Sequence, residues 1–189
     1  MNELIKRRCV RAAACLALSL AGSAAGGTTI ERLSLEKMVQ AAPVIVRAEC
    51  VGKTTVRDAG EIWTLSLFRV EQTWRGKAPA TITVRLLGGN WGQITSHVSG
   101  VPQFRLGDDV VLFLQPTKRG DFAVVSWQQG TFRVRREVGG ELVTQGTARF
   151  PTFDPATRQF RAAGIRYMPI EKFHAQVEAV LQSPADRQP

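Results

Sequence analysis

Between residues 44 and 144 apolar side chains recur at every second position, and segments carrying this period alternate with turns rich in glycine and aspartate. A period of two belongs to a strand, whose successive side chains point to opposite faces. The segments are 44–51, 62–73, 81–87, 110–115, 122–127, 131–136 and 141–144. Asp58-Ala59-Gly60, Arg75-Gly76-Lys77, Arg105-Leu106-Gly107-Asp108, Lys118-Arg119-Gly120-Asp121 and Gly139-Gly140 separate them, each with the residue types that tight turns require. The chain therefore reads as all-β.

Two of the strands are unusual. In the second, Trp63, Leu65 and Leu67 share one face while Phe68 and Val70 are apolar on the other. A bulge or strong bend near residues 66–68 would return both sets to one core, and long bent strands of this kind build small closed barrels. Val110-Val111-Leu112-Phe113-Leu114 has no alternation, which predicts a strand covered on both faces. A short helix precedes the strands: Ser34 can cap it, and Leu35, Met38, Val39 and Ala42 keep helical spacing until Pro43. An amphipathic helix opens at Pro169, with Ile170, Phe173, Val177, Val180 and Leu181 along one stripe. The stretch after Thr144, with Pro151 and Pro155, reads as irregular, and residues 183–189 as a disordered tail.

Lys6, Arg7, Arg8 and Arg11 stand against a single Glu3, followed by an uncharged apolar run over residues 12–21 and then Gly22-Ser23-Ala24-Ala25-Gly26-Gly27. That is the layout of a signal peptide over residues 1–26, cleaved after Ala25 or Gly26. The apolar run is shorter than the roughly 20 residues a membrane-spanning helix needs. Arg7-Arg8 admits a twin-arginine variant, though Lys6 and Arg11 fit it loosely and the ordinary export route fits better. The expectation is a periplasmic or secreted protein with one β-barrel domain over residues 27–182 and no transmembrane segment.

Without residues 1–26 the net charge falls from +9 to +6, with the basic excess concentrated in residues 118–166. Outside the cytoplasm such an excess reads first as a solvated face that aids solubility and otherwise as a surface for membrane lipid, acidic polysaccharide or an acidic protein, not for nucleic acid. The expected partner is another secreted or envelope protein or an anionic envelope surface. Cys9 and Cys15 fall within the leader, which leaves Cys50. It shares a strand face with Val44, Val46 and Ala48, so it reads as a buried, inert thiol.

Catalytic patterns are scarce. His174 has no second histidine one helical turn away, so a helical zinc pair is excluded. His97 lies near Ser96 and Ser99, but no Gly-x-Ser-x-Gly elbow exists. Asp108-Asp109 follows Gly107 and reads as turn chemistry, and Arg119-Gly120-Asp121 as a hairpin turn. Gly88-Gly89-Asn90-Trp91-Gly92 lacks the Gly-Lys-Ser/Thr ending of a phosphate loop. No metal and no cofactor is expected. The connection 88–104 is long for a compact domain, where loops beyond about 12–15 residues tend to carry function. It holds Asn90, Trp91, His97 and Phe104 among flexible glycines, and Arg133 and Arg135, from the arginine-rich stripe that ends at Arg136, join these four. These six residues are the expected binding set, with Trp91 as anchor or, equally, as a plug in the barrel mouth.

Leu35-x-x-Met38-Val39-x-Ala41-Ala42-Pro43-Val44-Ile45-Val46-Arg47-Ala48, Phe68-Arg69-Val70-Glu71-Gln72-Thr73-Trp74-Arg75-Gly76, Gly100-Val101-Pro102-Gln103-Phe104, Gly107-Asp108-Asp109-Val110-Val111-Leu112-Phe113-Leu114 and Gln129-Gly130-Thr131-Phe132 form a recurring pattern over residues 33–135. The pattern resembles a group of uncharacterised secreted bacterial proteins. Its first half is also similar to netrin-like modules, the OB-type barrel of tissue inhibitors of metalloproteinases. Those inhibitors hold zinc through an N-terminal cysteine, which this chain lacks, so no inhibitory residue carries over. The resemblance implies a barrel, and together with the segments above the expected fold is an OB-like barrel of five or six strands with an added hairpin and a helix at each end. The resemblance also implies a binding role. The expected function is an exported, non-enzymatic binding protein. The alternatives are an envelope hydrolase using His97 and an assembly factor at the membrane surface.

Overall fold

The computed structural model describes residues 32–149, 151–154, 157–162 and 164–183. The expected leader, residues 1–26, and the expected tail beyond Ser183 lie outside them. Helix α1 (Leu35–Ala41) is capped by the Ser34 hydroxyl, which accepts the Lys37 N–H, and it buries Met38 and Val39. After Pro43 the strands begin: β1 (Val44–Asp58), β2 (Glu61–Arg75), β3 (Thr81–Leu87), β4 (Gly89–Trp91), β5 (Ile94–Ser96), β6 (Asp109–Pro116), β7 (Phe122–Val124), β8 (Thr131–Glu137) and β9 (Gly140–Gln145). A hairpin of β10 (Pro151–Asp154) and β11 (Gln159–Ala162), the short β12 (Met168–Pro169) and helix α2 (Ile170–Gln182) complete the chain.

The protein is all-β and barrel-like. Eight strands make the main sheet, in the order β1-β2-β3-β7-β6-β8-β9-β12, and β1 pairs with β6 as well. Strands β1, β2, β3, β7 and β6 therefore close into a ring, antiparallel throughout except where β3 meets β7. The β8–β9 hairpin is the addition, paired to β6 on the edge that β7 uses further along.

Alternation along β1 and β6 serves two cores. Val44, Val46, Ala48 and Cys50 meet Phe68, Val84, Leu112 and Leu114 inside the ring. Ile45, Val111 and Phe113 face the other way, against Met38 and Val39 of α1, Phe132 of β8, and Phe173 and Val177 of α2. That double burial is why residues 110–114 carry no polar side chain, as expected of a strand covered on both faces.

Four local expectations are corrected. The two apolar sets of β2 stay on opposite faces, with Phe68 buried and Leu67 39 % exposed. The bulge sits across from them on β1, where the register passes from Cys50↔Phe68 to Gly52↔Leu67 and leaves Val51 as the extra residue. Strand β7 stops at Val124 because Ser126 and Trp127 adopt left-handed φ of 48° and 52°, which turns the chain. The stretch after Thr144 contains the β10–β11 hairpin, and the connection 88–104 contains β4–β5. These hairpins are too short to print a readable period of two.

Candidate functional site

Strand β6 begins at Asp109, whereas its neighbour β1 runs on to Asp58 with β2. The distal β1–β2 ribbon thus overhangs one mouth of the barrel, and the segment 88–108 crosses beneath it. Gly89, at φ 137°, permits this crossing, since a Cβ there would collide with the Thr64 hydroxyl and press on Thr55. Val101 and Phe104 then descend into the ring. Phe104 is 4 % exposed and meets Phe68 edge-to-face at 5.0 Å. The mouth is plugged from below, and above the plug lies an open cleft of about 800 Å³ between the ribbon, the crossing segment and β8.

Five of the six expected residues border this cleft: Asn90, His97, Phe104, Arg133 and Arg135. Trp91 stands outside it at the tip of the β4–β5 hairpin, opposite Ile94, with the two side chains 43 % and 53 % exposed. It does not plug the mouth; that position belongs to Phe104. His97 Nδ1 lies 3.4 Å from the Gln103 amide nitrogen. Arg133 lies 5.7 Å from the Phe104 ring centroid, pairs with Asp108 and donates to the Gln103 carbonyl. Arg136, the next basic residue of the stripe, reaches Glu141 instead, at 3.1 Å.

The acids at the cleft are already neutralised. Asp108 accepts the Arg105 backbone N–H at 2.8 Å in addition to the Arg133 guanidinium. Asp109 is forked by Arg47, which forks Glu141 as well through two bonds of 2.8 Å. Arg47 is buried, and the hydrogen bonds it donates to Glu141 and Asp109 push its pKa above the ordinary arginine value against the opposing effect of burial. Glu141 is held down to about 2, chiefly by the Arg47 hydrogen bond and then by Arg136. Among the described residues, Lys53, Arg105 and Arg135 around the cleft have no ion pair. The cleft is cationic at its rim and bordered by Thr54, Thr55, Thr64 and Thr95. Such a surface can hold an anionic, hydrogen-bonding ligand.

Lys53, Thr55, Thr64 and Arg105 belong to this site and went unread, although Lys53, Thr55 and Arg57 repeat at every second position and carried the signal. Arg119-Gly120-Asp121 is a turn, with Gly120 at φ 79°. Arg119 pairs with Asp58 at 2.6 Å, and Asp121 is buried against Arg85 at 2.6 Å, so the tripeptide is tied into the barrel. Cys50 is fully buried, and desolvation raises its pKa, as suits an inert thiol. Among the described residues no group of three or more His, Cys, Asp or Glu side chains converges to hold a metal ion. No helix of the described residues is long and apolar enough to cross a membrane. No protein-family model matches the chain, and no curated protein matches it significantly.

Proposed function

We propose that the protein is an exported, non-enzymatic binding protein whose cleft at the barrel mouth recognises another protein or an envelope component. The observation that carries this reading is the convergence of Asn90, His97, Arg133 and Arg135 on one open cleft whose own acids are already paired. Inter-strand loops and one barrel face are the usual binding surface of OB-type barrels, and the netrin-like resemblance supports a barrel used in this way. The leader-like residues 1–26 support a periplasmic or secreted location. Capture from a native envelope fraction with the wild-type protein and with Arg105→Glu/Arg135→Glu tests the reading. Partners retained by the wild type should be lost from the variant. An unchanged partner set would sink it.

The exposed Trp91–Ile94 tip beside this cationic rim favours a second reading, attachment to an anionic membrane surface. Flotation with anionic vesicles, lost on Trp91→Ala and at high salt, would establish it. Flotation equal to that with neutral vesicles would exclude it.

A further inference from the structure

We infer that the cleft takes an extended acidic peptide, which adds to the open edge of β1 as a further strand. The inference rests on the reading of the cleft as a binding site and names the ligand class and its mode of attachment.

On its β6 side β1 is paired only from Val44 to Glu49. One more turn of the ladder follows, with the Cys50 N–H donating to the Asp108 carbonyl and the Gly107 N–H to the Cys50 carbonyl. The chain of β6 then leaves, and residues 51–58 of β1 continue with β2 on one side alone. At about 3.3 Å per residue this edge is about 25 Å long.

The register identifies which backbone groups it offers. The Ile62 carbonyl accepts the Gly88 N–H, and the Val70 N–H donates to the Ala80 carbonyl. Even-numbered residues of β2 therefore turn their backbone groups to the β3 side, and Trp63, Leu65 and Leu67 turn theirs to β1. Their partners on β1 are Val56, Thr54 and Gly52. In a strand the N–H and C=O of one residue point to the same side and alternate along the chain. Lys53, Thr55 and Arg57 consequently direct theirs to the open edge. Among the described residues none of the three makes a backbone hydrogen bond on that side.

The same three residues lie across from Ser66, Thr64 and Ile62, on the face that looks into the barrel. Lys53 and Thr55 border the cleft, and Arg105 and Arg135 border it as well. An added strand with acidic side chains at alternate positions would meet Lys53 and Arg57 on that face. A second copy of this chain fits poorly, because edge-to-edge pairing would set Lys53 and Arg57 against their own counterparts, and like charges directly opposite destabilise a sheet. Lysine on an edge strand ordinarily guards against unwanted pairing. An acidic chain converts that guard into an attraction, and backbone pairing supplies the affinity.

The added strand runs antiparallel to β1, as β6 does, so directly opposed residues share a face, and opposite Lys53, Thr55 and Arg57 they exchange backbone hydrogen bonds. In a ten-residue fluorescein-labelled peptide alternating Glu and Val, the Glu amides should therefore be the ones that meet β1. Fluorescence anisotropy should show binding of this peptide to the full chain and not of its Lys–Val counterpart. N-methylation of the Glu amides should weaken binding by at least about tenfold, while N-methylation of the Val amides spares it. Thr55→Pro removes an edge N–H without touching the β2 ladder. It should weaken binding to a similar degree with an unchanged circular dichroism spectrum, and the methylated peptides decide the matter should this variant fail to fold. Equal or reversed effects of the two methylation patterns, or no binding of the Glu–Val peptide, overturn the inference. If the peptide is indifferent to methylation yet sensitive to Arg135→Glu, strand addition is wrong and the cleft reading stands. If Arg105→Glu/Arg135→Glu leaves both peptide binding and envelope capture intact, the cleft reading itself falls.

Discussion

At Cys50 the local chemistry follows from which way one side chain points. The residue has no solvent exposure, its Sγ lies 3.7 Å from the Gly52 carbonyl, and burial raises its pKa. The thiolate is the reactive species, and a buried thiol with a raised pKa supplies little of it at neutral pH. Cys50 should therefore resist alkylation in the native protein and react within seconds to minutes once the chain is denatured, as read by intact mass. Cys50→Ser puts a hydroxyl into the apolar core opposite Phe68 and should lower stability by about 1–3 kcal/mol. Partner binding should survive, since the cleft lies above the Phe104 plug. Rapid labelling of the folded protein would return the nucleophile to consideration. Arg47 shows the opposite case at the same scale. Its position on the strand face away from Cys50 was readable from alternation. Its burial was not, because two of the three acids around it, Asp109 and Glu141, arrive from β6 and β9, far along the chain, while Glu71 comes from β2.

The β8–β9 hairpin depends on that arginine. It continues the sheet from β6, and the Arg47 fork to Glu141 ties its turn end to β1. Glu141 titrates at about 2 in the folded protein against an ordinary 4.5. A depressed carboxylate contributes stability that is present above the higher value and disappears as pH falls toward the lower. Urea midpoints should accordingly drop between about pH 4.5 and 2 by more in the wild type than in Glu141→Gln. At pH 7 the variant should be less stable by about 2 kcal/mol, the range of a hydrogen bond to a charged group. Parallel curves for the two proteins would show that the fork contributes nothing. Elements of this length were legible in the sequence: β3, β6, β8 and both helices lie close to their expected bounds, because each carries several apolar residues at its own period. The distal half of β1 was not, since past Cys50 its inward positions are Lys53, Thr55 and Arg57 and no core demands apolar side chains there. The cleft inherits the same asymmetry. Its glycine-rich and arginine-bearing walls stood out as motifs, while the ribbon wall became part of a site only when pairing showed β6 ending short of β1.

For the molecule as a whole, the ring is closed more firmly on one side than on the other. Strands β1 and β2 pair along nearly their full length, and β1 and β6 from Val44 to Glu49. The closing seam between β3 and β7 rests on one parallel pair, Val84↔Phe122. Side chains compensate at that seam. Asp121, 7 % exposed, binds Arg85 of β3 at 2.6 Å and the Thr117 hydroxyl at the start of the β6–β7 turn. Arg85 is further held 3.4 Å from Asp58 and 5.4 Å from the Trp63 ring centroid. Removing one partner of such a buried pair strands the other, which costs about 3–5 kcal/mol in comparable cases. Asp121→Asn should therefore destabilise the protein by about 2 kcal/mol, less than full loss of the partner because the amide still hydrogen-bonds and Asp58 stays beside Arg85. The damage should be local before it is global. Hydrogen exchange should quicken first at amides of β3 and β7 while β1 and β6 keep their protection, because local openings draw on the least-paired elements. Replacing both members, Arg85→Met with Asp121→Leu, should recover part of the stability by removing the stranded charge together with its partner. Uniform acceleration of exchange in Asp121→Asn would show that the barrel opens as one unit. No loss of stability at all would show that the single backbone contact suffices to close it.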